Sequence, residues 1–192
     1  MGVVGTELHI AGRHNLRNAM AAAASTLAAG APLAAVAQGL RAFRPVAGRS
    51  HTHALQWQGH ACTLIDDSYN ANPDSVLAAI DVLADLPAPR LLVLGDMGEV
   101  GVNGAAFHAE VGQHAQAQGI ERLFTLGDLA RASAAAHAQA THFGDMAALQ
   151  AAVLAQAAEG GSVLVKGSRF MRMERVVQAM LEHSTAQEAT CS

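Results

Sequence analysis

The segment DDSYNANPDS, residues 66–75, gathers two carboxylates, a hydroxyl, a phenol and two carboxamides ahead of Pro73. A helix cap needs one of these side chains, and Asn72 before a first-turn proline suits that task. The surplus around Asp67, Tyr69, Asn70 and Asn72 points to ligand contacts, such as a carboxylate accepting hydrogen bonds from sugar hydroxyls. A second concentration is Lys166-Gly167-Ser168-Arg169. Lys166 is the only lysine among 12 cationic residues and directly follows the apolar run VLV. A lysine buried against a strand end requires an anionic partner or substrate. Ser168 and Arg169 then open the last helix, whose N-terminus favours anions, so a carboxylate or phosphate site stands against an ordinary solvated lysine. Arg49 closes PVAGR; between two domains it could clamp a phosphate bidentately, and otherwise it is solvated. Asn15 and Asn18 lie three apart and share a helix face; Asn15 also suits an N-cap.

Other chemistries lack their residues. There is no GxGxxG, no GxxxxGK[ST] and no GxSxG, which disfavours a dinucleotide dehydrogenase, a complete phosphate loop and a Ser-His-Asp hydrolase. The ten histidines are scattered, and His51 with His53 is a weak metal pair. Cys62 and Cys191 make neither a disulfide framework nor a four-ligand zinc site, and Cys62 reads as an inert core thiol.

The elements that must position these groups follow from periodicity. Residues 15–30 predict an Ala-rich helix stopped by Gly30, and Pro32 opens a second through LAAVAQGLRAF. Residues 46–53 read as a linker between residues 1–45, the helical end of one domain, and a domain over 54–183, with 184–192 as a fraying tail. From residue 54 a hairpin turning at Gln58-Gly59 leads into short apolar strands alternating with helices of about 12 residues. That pattern predicts an α/β, Rossmann-like, mostly parallel sheet with helices on both faces. Asp66-Asp67, Gly95-Asp96, Gly127-Asp128, Gly144-Asp145 and Lys166-Gly167-Ser168 all fall at strand C-terminal ends, the edge where open α/β sheets bind ligands. Asp128 and Asp145 read as turn and cap residues; 66–72 and 166–169 read as the ligand segments.

With 192 residues, 51% hydrophobic and 15% charged, the chain is long enough to bury a core without a staple and too apolar for intrinsic disorder. Its net charge of −4 leaves no broad cationic face for nucleic acid. No apolar run of membrane-spanning length and no signal-peptide layout occurs, so a cytoplasmic address and no membrane partner are expected.

GRHNLRNAMAAAA at 12–24, FRPVAGR at 43–49, LIDDSYNANPDSVLAAIDVL at 64–83, LVLGDMGEVG at 92–101, FHAEVG at 107–112 and LVKGSRFMRMERVV at 164–177 occur in one order. Together they closely resemble the C-terminal part of the Mur ligases, over nearly the whole chain. The resemblance implies an ATP-dependent amide ligase of peptidoglycan synthesis that adds D-alanyl-D-alanine to UDP-N-acetylmuramoyl-tripeptide, monomeric when full length. It implies that Asn18 contacts adenine with His14 and Asn15 nearby, and that Arg49 reaches the ATP phosphates. The same resemblance implies that Asp67 binds ribose and that Tyr69, Asn70 and Asn72 line the same cleft. It also implies that Lys166, Ser168 and Arg169 face the peptide or dipeptide, and makes Arg49 and Lys166 the catalytic candidates. The resemblance implies that the phosphate loop and the carboxylates for the implied Mg2+ belong to a region upstream of these residues, so no metal ligands are expected among them. The expectation is a partial reading of a longer protein that does not ligate alone; a stand-alone anion- or partner-binding module is the competing reading.

Overall fold

The computed structural model describes residues 2–10, 12–57 and 59–190, with the side chains of Arg13, His14 and 185–190 outside the description. The chain divides into two compact units, Met1–Val46 and Ala47–Ser192.

In the first unit, helix α1 (Arg13–Ala28) and helix α2 (Leu33–Ala42) are joined through Gly30. Gly12 occupies the N-cap position of α1 and its carbonyl accepts the Asn15 N–H at 3.1 Å, so Asn15 sits inside the first turn and does not cap. The leading segment is tied to α2 by the Thr6 hydroxyl, which donates to the Ala37 carbonyl at 3.0 Å. Val36 and Ala37 are buried, whereas Leu16, Met20 and Leu27 on α1 are exposed.

The second unit is built on six strands: β1 (His51–Trp57), β2 (His60–Asp67), β3 (Arg90–Gly95), β4 (Arg122–Leu126), β5 (Ala140–Phe143) and β6 (Gly161–Lys166). Their spatial order is β1-β2-β6-β3-β4-β5; β1 pairs antiparallel with β2 and the other pairings are parallel. Helices α3 (Pro73–Ala84), α4 (Gly104–Ala117), α5 (Arg131–Ala135), α6 (Met146–Ala157) and α7 (Glu174–Thr190) complete it.

Side chains alternate between two cores, as a pleated sheet covered on both sides requires. Leu91, Val93, Val163 and Val165 pack with α6 and α7, while Leu92, Leu94 and Leu164 pack with α3 and α4. The strand runs are therefore continuously apolar, with no polar face to show.

Two boundaries depart from expectation. Residues 51–53 belong to β1, not to a linker: His51, Thr52 and His53 pair with Asp66, Ile65 and Leu64. Residues 47–50 form the turn feeding it. At the other end α7 continues to Thr190, past the expected fraying point, because Ser184 is buried and its hydroxyl donates to the Gln56 carbonyl at 3.2 Å. Residues 191–192, Cys191 included, lie outside the described residues, as does Gln58 at the expected hairpin turn. Among the described residues, no helix is long and apolar enough to cross a membrane.

Candidate functional site

Strand β6 leads to α7 on one face of the sheet, while its neighbours β2 and β3 lead to α3 and α4 on the other. Connections diverging to opposite faces open a crevice at the C-terminal ends, the usual ligand position in open α/β sheets. The segments at that crevice are 67–72, 96–103 and 167–173, so both ligand segments read from the sequence meet there.

Strand register puts Asp67 directly beside Lys166. Their side chains form an ion pair, and the Lys166 ammonium also donates to the Asn70 carbonyl at 3.0 Å. Lys166 is 3% exposed, so the anionic partner that a buried lysine requires is Asp67. The other Asp67 oxygen accepts from the Ser50 backbone N–H at 2.9 Å and the Ser50 hydroxyl at 3.2 Å. A carboxylate offers roughly four lone-pair sites. Three are engaged here, which leaves room for one hydroxyl donor.

Asp66 is buried and performs a different task. One oxygen accepts from the Gly48 N–H at 2.9 Å, and the other from the Ser68 hydroxyl at 2.5 Å and the Ser68 N–H at 3.2 Å. The Tyr69 N–H returns a bond to the Gly48 carbonyl at 2.9 Å. Gly48 has φ +78°, and a Cβ there would lie 3.0–3.3 Å from Tyr69 atoms, so glycine is required on both counts. The turn carrying Arg49 is thus stapled onto the 66–69 segment. Arg49 is exposed, with its guanidinium carbon 4.3 Å from the centroid of the Tyr69 ring.

Asn70 and Asn72 are exposed beside them. Asn72 caps α3: its side chain accepts the Ser75 N–H at 2.9 Å, while the Asn72 N–H donates to the Ser75 hydroxyl at 3.1 Å. This reciprocal box uses the Asn72 oxygen and leaves its amide nitrogen available.

Ser168 was expected at the substrate, but the fold uses its polar atoms. Its hydroxyl accepts from the Gly98 N–H at 2.5 Å and donates to the Ala71 carbonyl at 3.2 Å, and its N–H donates to the Asp96 carbonyl at 2.9 Å. One buried hydroxyl therefore ties the loops after β2 and β3 to the end of β6. Ser168→Ala removes both hydroxyl bonds and orphans their partners. It is expected to cost about 1–3 kcal/mol, read in urea unfolding by the fluorescence of Trp57, the only tryptophan. Its neighbour Arg169 is exposed, with its guanidinium carbon 5.0 Å from the same Tyr69 ring.

Asp96, placed by the sequence at a strand end, and His108 both brace loops at this edge. Asp96 accepts the Ala130 N–H at 2.7 Å at the start of α5, the task expected of Asp128; Asp145 does cap α6, accepting from Ala148 at 2.9 Å. Buried His108 accepts the Met97 N–H at 2.9 Å through Nε2, so its proton is on Nδ1 and is donated to the Gly104 carbonyl at 2.7 Å. It braces the loop after β3. Ala130 lies 34 residues from Asp96 and Met97 lies 11 from His108, so local spacing does not reveal either bracing bond.

His51 and His53 share one face of β1, with ring centroids 4.4 Å apart. Burial and His51 push the His53 imidazole below its ordinary pKa, with Asp66 opposing. Burial raises the Cys62 thiol to about 11, which fits an inert core residue. Among the described residues, no three metal-ligating side chains come together. Asn15 and Asn18 lie on α1 of the first unit; Asn18 is exposed, and the His14 side chain is outside those described.

An α/β domain of the Rossmann-like kind, with acidic, amide and arginine groups at its switch-point edge, is the class that this geometry defines. Residues 48–169 match the family described as Mur ligase, glutamate ligase domain, and the chain belongs to that family. It is 42% identical over 186 residues to UDP-N-acetylmuramoyl-tripeptide--D-alanyl-D-alanine ligase of Escherichia coli K12, covering 96% of this chain and 40% of the relative. A crystal structure of MurF from Acinetobacter baumannii superposes with a TM-score of 0.81 at 32% identity, covering 92% of this chain and 39% of that one. MurF ligase from Thermotoga maritima in complex with ADP gives a TM-score of 0.66 at 25% identity, over 79% of this chain and 34% of that one. The chain thus spans about 40% of the length of that E. coli relative.

Proposed function

We propose that these residues form the C-terminal part of an ATP-dependent ligase that joins D-alanyl-D-alanine to UDP-N-acetylmuramoyl-tripeptide in the cytoplasm. The observation that carries the reading is the Asp67–Lys166 pair at the switch-point edge, with the Arg49 turn bonded onto it. In this reading Asp67 offers its remaining lone pair to a ribose hydroxyl, and Arg49 meets the nucleotide phosphates. Asn18 takes adenine with Asn15 nearby; Tyr69, Asn70 and Asn72 line the cleft. Lys166 and Ser168 act through the groups they hold, and Arg169 faces the incoming dipeptide.

The chemistry is phosphoryl transfer followed by acyl transfer. The tripeptide carboxylate takes the γ-phosphoryl group of ATP with ADP leaving, and the dipeptide amine then attacks the acyl phosphate, forming the amide and releasing phosphate and a proton. Such transfers depend on positioning and on neutralising charge at the phosphates, which exposed arginines at a preorganised edge supply. Among the described residues, no cluster of carboxylates or imidazoles fits the Mg2+ that the family implies. The full-length enzyme is read as a monomer.

The test is a chimera in which this chain replaces the matching 40% of the E. coli relative. Phosphate release that requires ATP, UDP-N-acetylmuramoyl-tripeptide and D-alanyl-D-alanine together is the expected result, with none from the 192-residue chain alone. A folded chimera that binds ADP and never ligates favours the non-catalytic binding module instead.

A further inference from the structure

We propose that Tyr69 is the spacer of a two-arginine clamp, its ring holding Arg49 and Arg169 so that both guanidiniums grip one phosphate-bearing anion. This rests on the reading of the rim as the nucleotide-facing edge and reassigns Arg169 from the dipeptide to the phosphates.

Both guanidinium carbons lie within cation–π range of one ring, at 4.3 and 5.0 Å from its centroid. Two cations sharing a ring repel each other, and no ion pair recorded among the described residues involves either. The neighbouring carboxylates are already engaged, Asp66 by Gly48 and Ser68, and Asp67 by Ser50 and Lys166. The ring quadrupole offsets part of the repulsion; an anion long enough to reach both guanidiniums past the ring offsets the rest. The backbones at these positions are held as well. Arg49 follows Gly48, which is bonded to both Asp66 and Tyr69, and Arg169 follows Ser168, which is bonded to Asp96, Gly98 and Ala71.

That preorganisation selects the ligand class. A single carboxylate satisfies one guanidinium fork, whereas an oligophosphate presents oxygens to two at once. At 40% exposure, Tyr69 keeps part of its ring open beside them. Tyr69 is therefore a positioning residue, acting through the arginines, and its ring rather than its hydroxyl is the working part.

Inorganic tripolyphosphate is the probe, titrated into the 192-residue chain while the Nε–Hε signals of Arg49 and Arg169 are followed by NMR. Both arginines are expected to saturate together with one Kd. Tyr69→Phe should stay within about twofold of wild type, and Tyr69→Leu should bind about tenfold or more weakly at an unchanged melting temperature. If the leucine variant unfolds, Arg169→Gln reads the same coupling, with the Arg49 response weakened about tenfold. Response of one arginine only, wild-type affinity in Tyr69→Leu or Arg169→Gln, or no saturable binding overturns the clamp. The chimera separates this from the underlying reading: one that ligates equally well with Tyr69 or Leu at this position removes the clamp and keeps the ligase, whereas one that never ligates removes the ligase.

Discussion

Asp67→Ala lowers the unfolding free energy of the second unit by about 3–5 kcal/mol, the usual cost of stranding one partner of a buried ion pair. The lysine side chain is 4% exposed and the aspartate side chain 15%. Without Asp67 the ammonium keeps the Asn70 carbonyl and loses the one counter-charge it has among the described residues. Lys166→Met is expected to cost less, since Asp67 retains both Ser50 donors and more access to water. The double variant should then lie close to Lys166→Met alone, because an apolar side chain at 166 has no charge to strand. Urea unfolding of the four proteins, followed by Trp57 fluorescence, gives the coupling directly. For a domain of this size each kcal/mol moves the melting temperature by roughly 2–4 °C, so thermal unfolding provides a second reading. Equal, additive losses from the two single variants would mean that the pair contributes no more than its separate parts.

Arg49→Ala in the ligating chimera is expected to lower kcat by at least about 100-fold, the scale on which single preorganised donors act on developing charge. The side chain is exposed, so the loss should come without a comparable fall in melting temperature. Arg49→Lys should recover only part of the rate, since an ammonium keeps the charge but neither the bidentate fork nor the stacking on Tyr69. A raised KM for ATP at unchanged kcat would place Arg49 in ground-state binding alone and remove it from the transfer step.

The alternation of strands and helices was legible because it depends on neighbours within a turn or a pleat. Runs such as LLVL at 91–94 and VLV at 163–165 are apolar at every position, and the two cores show why: each residue meets one or the other. Asn72 before Pro73 and Asp145 before Met146 announced their helix starts, and both cap as their spacing requires. Boundaries near residues 51–53 and 184–190 differ from the sequence reading because His-Thr-His has no apolar pattern, and because the Ser184 hydroxyl finds its acceptor in the Gln56 carbonyl, 128 residues away. The ligand segments were visible as a surplus of polar groups beyond what capping requires.

Which of those groups face a ligand is another matter. Residue types and local spacing determined that the chain makes a covered parallel sheet with polar chemistry along its C-terminal edge. The tertiary structure alone decided that β6 enters between β2 and β3. That insertion sets Lys166 on Asp67 across 99 residues, turns the Ser168 hydroxyl inward, and brings Arg49 and Arg169 to one tyrosine. The physical reason is range. Helix periods, pleats and caps are settled between residues a few positions apart, whereas strand order is settled by how whole elements bury their faces, and only then do distant charges acquire partners.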